Sequence, residues 1–396
     1  MNIKSLFSAK FKKNPKFFYW SPGRVNIIGE HSDYHDGLVM PAAIDLGLTW
    51  AVAERADDKI RVYSEKFDEI GEFSVSDKKR TKCEWLLYLQ GVVEVLKKRK
   101  IKIGGLDIAL HSTIPIGSGL SSSSSMATGF AYIVNDFFTL KFDRKEIARL
   151  GCEAEWWYGT TGGIMDQYCI ANGKMGYAVL LDCRSLAHEF IRIPKEIEIV
   201  VFETTIRHQQ FNSPFDKRKR QANEIIKIAQ VEYPDRKITK LRDLNEKMLS
   251  GIRNKVIKKF GKEKGDMYFR RALHPITENE RVKRMKVALE RGDARSIGLI
   301  LSQSHQSLRN NYEVSCKELD TAVEISHSFN ELIGSRMVGG GFGGCTINLV
   351  KRGKAKHFAG LLEEKFRRIT GIRGNSYICK TSDGVKKLPN GYFFGS

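Results

Sequence analysis

The stretch IPIGSGLSSSSSMATGFAYIVNDFF constrains this chain more than any other. It runs from Pro115 through Gly117 and Gly119 into five consecutive serines, Ser121 to Ser125, and then into an apolar helical pattern, directly after a predicted strand at Leu106 to His111. Two glycines let backbone N–H groups approach a ligand closely, serine hydroxyls add donors, and the N-terminus of the helix adds partial positive charge. These are the ingredients of an anion cradle, although the segment lacks the G-K-[ST] ending of a P-loop and the spacing of a dinucleotide motif. A flexible Ser/Gly loop with an ordinary serine cap would use the same residues.

The remaining pattern predicts a mixed α+β protein. Leu38 to Glu54 and Ile60 to Ser64 read as strands, Trp85 to Arg99 as a helix with a basic last turn, and Lys145 to Tyr158 as another helix. A short strand at Ile197 to Phe202 precedes charged amphipathic helices at Asp216 to Gln230, Thr277 to Arg291, Ala294 to Leu308 and Cys316 to His327. SRMVGGGFGGCTINLV predicts two strands around a glycine loop, followed by a helix at Ala355 to Arg368 and a strand at Ser376 to Thr381. With 396 residues and about 150 per domain, two domains are expected, with a soft boundary near residue 190 and a cleft between them.

Composition narrows the class. The net charge is +20, but Lys97 to Lys100, Lys217 to Arg220 and Lys255 to Lys264 lie in helical patterns or beside acidic residues, as on a solvated face. Nucleic acid is therefore not an expected partner. No apolar run reaches the roughly 18 residues of a membrane span, and the basic start has no cleavage site, so the reading is a cytoplasmic protein with no membrane partner. The 7 cysteines show no CxxC spacing, which argues against a disulfide framework or a zinc site.

Three further segments carry chemistry. SPGRVNIIGEHSDYHDG crowds Arg24, Glu30, His31 and Asp33 together; such a set can fix the hydroxyls of a polyol, bind a divalent ion or cap a turn. CEAEWWYGTTGGIMDQY puts Glu153 and Glu155 on a helix ahead of Gly162, Gly163 and Asp166. One carboxylate for Mg²⁺ and one for a substrate hydroxyl is what phosphoryl transfer requires, while a lone Asp after glycines is also a common helix cap. Gly339, Gly340, Gly341, Gly343 and Gly344 surround Phe342 and would suit either a tight hairpin or a second ligand loop.

Together, GRVNIIGEHSDYHDG, IPIGSGLSSSSS, GGIMDQ and SRMVGGGFGGCT resemble, in order and spacing, the GHMP kinase superfamily and, within it, the galactokinases. TENERV and SHQSLRNNYEVSCKELD extend the resemblance over about Pro22 to Val350. It implies an α+β two-domain GHMP kinase fold: residues 1–190 as a sugar- and ATP-phosphate-binding domain like ribosomal protein S5 domain 2, and 191–396 as the C-terminal GHMP kinase domain. It implies ATP as co-substrate, Mg²⁺ as cofactor, a small sugar as substrate and a monomer as the working form. Arg24 and Asp166 would flank the sugar's C1 hydroxyl as the catalytic pair, with Glu30, His31, Asp33, Gly163 and Phe215 around the other hydroxyls. Trp85, Tyr88, Pro115, Gly117, Ser118, Gly119, Leu120, Ser121, Ser122 and Ser123 would bind ATP, and Ser123 with Glu155 would bind the metal.

Three positions depart from the family pattern. Phe215 stands where galactokinases usually carry Tyr, which leaves a bulkier sugar such as N-acetylgalactosamine as an alternative substrate. Glu155 lies one residue closer to Asp166 than the usual metal-binding Glu, with Glu153 as the fallback. Ser124 and Ser125 replace an Ala pair in a loop that is altered in non-catalytic galactose and ATP sensors of the same family.

Overall fold

The computed structural model describes residues 2–389 except 116, 118 and 208–213, with backbone alone at 207 and 214–216. Ser118 therefore lies outside the described residues, as does the Phe215 side chain.

Helix α1 (Ile3–Phe11) leads into a sheet built from β1 (Phe17–Ile28), β2 (Leu38–Glu54), β3 (Lys59–Ser64), β4 (Glu69–Ser74) and β5 (Leu106–Ser112). Strand order is β12-β1-β2-β5-β3-β4, with β6 (Tyr177–Asp182) and β7 (His188–Arg192) hanging from β2. Only β3 and β5 pair in parallel among the described strands. That pairing needs a crossover, which α2 (Leu87–Lys98) supplies. Helices α2, α3 (Ser122–Phe137), α4 (Arg144–Tyr158) and α5 (Met165–Asn172) cover one face. The apolar residues of these helices join those of the strands in the main core, where Trp50, Ile108 and Phe130 are fully buried.

The second sheet follows the order β11-β8-β10-β9, made of β8 (Ile197–Arg207), β9 (Leu332–Val338), β10 (Gly343–Lys351) and β11 (Asn375–Cys379). Helices α11 (Lys317–Ser326) and α12 (Ala355–Thr370) pack on it around Phe202, Phe358 and Phe366. Beside it stands a helical layer of α6 (Pro214–Glu232), α7 (Glu246–Gly251), α8 (Arg253–Phe260), α9 (Lys262–Arg291) and α10 (Ala294–Ser307). The chain then returns, and β12 (Lys386–Leu388) pairs with β1 in the first sheet. No helix among the described residues is long and apolar enough to cross a membrane.

Two elements differ from the sequence expectation in an instructive way. β1 is a strand that the sequence reading does not predict; Pro22 and Gly23 lie inside it, where the register against β2 shifts between them. The shift is a bulge, and it brings the Arg24 N–H to the Leu120 carbonyl at 3.2 Å, docking the serine loop on the strand. A Cβ on Gly23 would stand 2.8 Å from that same carbonyl, so the approach requires glycine. The helix expected from Thr277 begins at Lys262 and runs through Pro275. Ahead of Thr277 its buried side carries Gly265, Arg271, His274 and Pro275, which break the apolar periodicity, and it continues with Glu278 and Arg281.

Candidate active site

The centre of the site is an ion pair that joins residues 142 apart in sequence. Arg24 Nε and Nη2 each donate to one oxygen of Asp166 at 2.7 Å, a bidentate pairing, and Arg24 Nη1 donates to the Gly119 carbonyl at 2.6 Å. Asp166 opens α5, and the Ser121 hydroxyl donates to its Oδ2 at 2.6 Å. Ser121 caps α3 with φ +63, a left-handed conformation unusual for a non-glycine residue. Strand bulge, serine loop and helix N-terminus therefore converge on a single carboxylate.

Two more carboxylates flank it. Asp33 follows the turn after β1; burial, and then the like charge of Asp166, push its carboxyl up to about 6. Gly163 lies hard against it, since a Cβ there would be 2.4 Å from Asp33 Oδ2. Glu155, on α4, accepts the Ser124 hydroxyl at 2.7 Å. Burial, and then Asp166, raise its carboxyl to about 7, while hydrogen bonds from Ser124, Ser123 and Gln167 oppose the rise. The fallback carboxylate, Glu153, is committed elsewhere: it pairs with Arg99 Nη2 at 2.9 and 3.0 Å. Glu155 is thus the acidic group of α4 that faces the serine loop.

Glu30 and His31 sit deeper. The Glu30 carboxylate accepts from Asn26 Nδ2 at 2.6 Å, Arg336 Nη2 at 2.8 Å and the Gly339 N–H at 2.6 Å. Three of its roughly four acceptor positions are taken, so it stitches the end of β1 to β9 and to the second glycine loop. His31 has φ +60, and its Nδ1 is 2.8 Å from the Tyr34 hydroxyl, which is 2.9 Å from that of Tyr312. Burial pushes the His31 imidazole down to about 3, so it is neutral near pH 7.

The two glycine loops meet. Gly117 and Gly119 have positive φ, as do Gly339, Gly341, Gly343 and Gly344. A Cβ on Gly339 would lie 3.5 Å from the Gly119 carbonyl, and one on Gly341 would lie 2.1 Å from the Val314 carbonyl. Tyr88 packs on Tyr158 with ring centroids 4.8 Å apart, and Trp85 stacks on Phe67 at 5.9 Å. Asp33, Gly163 and Lys219 also border a cavity of about 660 Å³ that opens toward Trp156.

Sequence reasoning missed the second tier of this site. Arg336, fully buried, donates to the Ile27 carbonyl at 2.9 Å and binds Glu30. His274, Glu278 and Arg281 lie behind the turn after β1. The available signal was HPITENER, where His, Glu and Arg recur at i, i+4 and i+7 on one helix face.

A small-molecule kinase of the GHMP class accounts for the fold and for the serine loop facing a paired carboxylate. Residues 88–174 match the GHMP kinases N terminal domain, and residues 285–367 match the GHMP kinases C terminal domain. The mevalonate kinase of Methanococcus jannaschii, at 19% identity over 92% of this chain and 98% of its own, shares the fold with a TM-score of 0.61. Within that class, the chain belongs to the galactokinase family. Residues 5–54 match the galactokinase galactose-binding signature. The galactokinase of Clostridium acetobutylicum is 36% identical, over 96% of this chain and 97% of its own. The Lactococcus lactis galactokinase complexed with galactose superposes with a TM-score of 0.90 at 31% identity, covering 98% of this chain and 99% of its own.

Proposed function

We propose that this kinase transfers the γ-phosphoryl group of ATP to the C1 hydroxyl of galactose, giving galactose 1-phosphate and ADP. The observation that carries the reading is the bidentate Arg24–Asp166 pair, tied by Ser121 to the serine loop. A free sugar hydroxyl is a poor nucleophile at neutral pH. In this reading Asp166 orients the C1 hydroxyl and takes its proton as the new O–P bond forms and the bond to the β-phosphate breaks. Arg24 keeps Asp166 ionised and offsets charge on the attacking oxygen. Asp33, with the Gly163 backbone beside it, accepts hydrogen bonds from the other hydroxyls. The backbone of residues 115–123 receives the phosphates, and Trp85 and Tyr88 line the nucleotide side. Gly339 to Gly344 close the site from the second lobe, so that 1–190 supplies most binding groups and 191–396 completes the cleft.

The residues present suit Mg²⁺, which takes one or two carboxylates and fills its octahedron with phosphate oxygens and water. Glu155 and Ser123 would hold it, and when bound it would neutralise charge on the phosphates. Glu155 fits because it is a carboxylate oriented by the Ser124 hydroxyl, and Glu153 does not fit because Arg99 already neutralises it.

Asp33 gives the sugar site a pH dependence of definite sign. With its carboxyl at about 6 rather than the usual 3.8, it loses its charge, and one acceptor, as pH falls through 6. Galactose KM is expected to rise below pH 6 and level off above pH 7, and Asp33→Asn should flatten the profile. Free-protein stability should move the other way: a raised carboxyl favours the folded state at low pH, and that contribution is lost as pH climbs from about 4 to about 6. Parallel steady-state and urea-denaturation series check both signs.

ADP release across galactose, N-acetylgalactosamine, glucose, arabinose and galacturonate tests the substrate assignment. Highest kcat/KM on galactose supports it. Preference for N-acetylgalactosamine would assign the missing Phe215 hydroxyl to a wider sugar pocket, and sugar binding without ADP release would make the chain a sensor.

A further inference from the structure

Between Gly29 and Leu38 the chain makes a turn whose middle is closed by its own backbone, Ser32 N–H to the Gly29 carbonyl at 3.3 Å and Gly37 N–H to the Ser32 carbonyl at 2.8 Å, and whose two ends are anchored from outside. Gly29 has φ +100 and His31 φ +60, on either side of Glu30, and the loop between β1 and β2 carries Glu30, His31 and Asp33. Lys240 Nζ, Arg242 Nη1 and the Cys183 N–H hold the Tyr34, Asp36 and Gly37 carbonyls, and three main-chain groups at the ends of the turn are held by α9. Glu278 Oε1 accepts the Gly29 N–H at 3.1 Å, His274 Nε2 donates to the Glu30 carbonyl at 3.0 Å, and Asn279 Oδ1 accepts the Leu38 N–H at 2.7 Å.

We propose that His274, Glu278 and Asn279 are positioning residues that anchor the two ends of the sugar-binding turn, with Glu278 the principal one. The claim rests on the reading of that turn as a galactose site and adds a device that anchors its ends. Glu278 is fully buried, and a buried carboxylate persists only when its lone pairs and charge are answered. Here they are: Oε1 also accepts the Ser304 hydroxyl at 2.7 Å, and Oε2 accepts Arg281 Nε at 2.6 Å. Burial alone would raise its carboxyl, yet Arg281, His274 and Ser304 hold it down at about 2, so the acceptor for Gly29 is a permanent anion. Hydrogen bonds to charged groups are about twice as strong as neutral ones.

His274 complements it. A carbonyl can only accept, so Nε2 carries the proton and Nδ1 accepts from the Ser307 hydroxyl at 3.0 Å. Burial pushes this imidazole down to about 4, which keeps it neutral in that tautomer near pH 7. Neither side chain has to touch the sugar to act. Displacing the turn by an ångström would misplace Asp33 relative to Asp166, and geometric errors of that size cost on the order of a hundredfold in rate.

Glu278→Gln in the full-length protein tests the claim. Expected is a rise in galactose KM of about tenfold or more, with ATP KM within about twofold, and faster amide hydrogen exchange in peptides spanning residues 26–36 than in those covering β5. A folded Glu278→Gln protein with unchanged galactose KM and unchanged exchange in that segment overturns the proposal, as does an equal rise in both KM values. Should this variant fail to fold, His274→Leu and His274→Gln decide. Gln can still donate to the Glu30 carbonyl and should restore most of the galactose affinity lost with Leu, and equal losses in the two would overturn the claim. Wild type is assayed alongside: if it ignores galactose, the sugar assignment fails, while the exchange measurement, which needs no substrate, still decides the positioning role.

Discussion

Asp166→Asn is expected to lower kcat on galactose by at least about a thousandfold, within the range for loss of a general base, while ATP affinity changes by less than about twofold. Asn keeps the shape and can still accept one hydrogen bond from Arg24, but it cannot take the hydroxyl proton or balance the guanidinium. The nucleotide side should be nearly indifferent, because the ATP contacts in this account come from the serine-loop backbone and from Trp85 and Tyr88. A second signature separates lost chemistry from lost structure. Asp33 and Glu155 are both raised by the Asp166 charge, so both carboxyls should move down in the variant, and the acid limb of the galactose KM profile should shift below pH 6. Measurable turnover near the wild-type rate would mean that another group handles the proton.

Arg24→Met should have the largest effect on stability. Arg24 is 5% exposed and is the cation paired with Asp166, which has Asp33 and Glu155 as charged neighbours. Removing one partner of a buried ion pair leaves the other uncompensated, at a cost of about 3–5 kcal/mol, and here the repulsion among three carboxylates adds to it. The loss should be greater at pH 8 than at pH 5, because Asp33 and Glu155 are ionised at the higher pH. Arg24→Met with Asp166→Leu should recover most of it, since an apolar pair of similar volume in place of a buried ion pair is often neutral. Urea unfolding of both single variants and the double variant measures the coupling. Additive losses would show that the pair contributes nothing beyond its separate parts.

What could be read from the chain before its structure was known follows from where the interactions close. The serine loop, the Gly-Glu-His turn and the Asp166 segment are each compact in sequence, so their chemistry is visible as local crowding of polar residues and glycines. The helices and strands that carry them show up as apolar periodicity. Periodicity fails where other residue types interrupt it: β1 carries Pro22-Gly23, where its register against β2 shifts, and the first half of α9 carries Gly265, the buried Arg271 and His274, and Pro275. Glu30 is the clearest case of a residue whose type was legible and whose contacts were not. Two of its donors, Arg336 and Gly339, arrive from more than three hundred positions away, |i−j| 306 and 309. The choice between Glu153 and Glu155 could not be made from spacing, because it depends on Arg99 reaching one of them across from α2.

The most direct measurement is ³¹P and ¹H NMR of the product formed from galactose, ATP and Mg²⁺ by the purified protein. The expected result is a new phosphomonoester signal coupled to the anomeric proton, growing in step with ADP and absent with Asp166→Asn. A phosphoryl group on any other carbon, or ATP and galactose both bound with no new phosphorus signal, would contradict the placement of the C1 hydroxyl against Asp166 and Arg24.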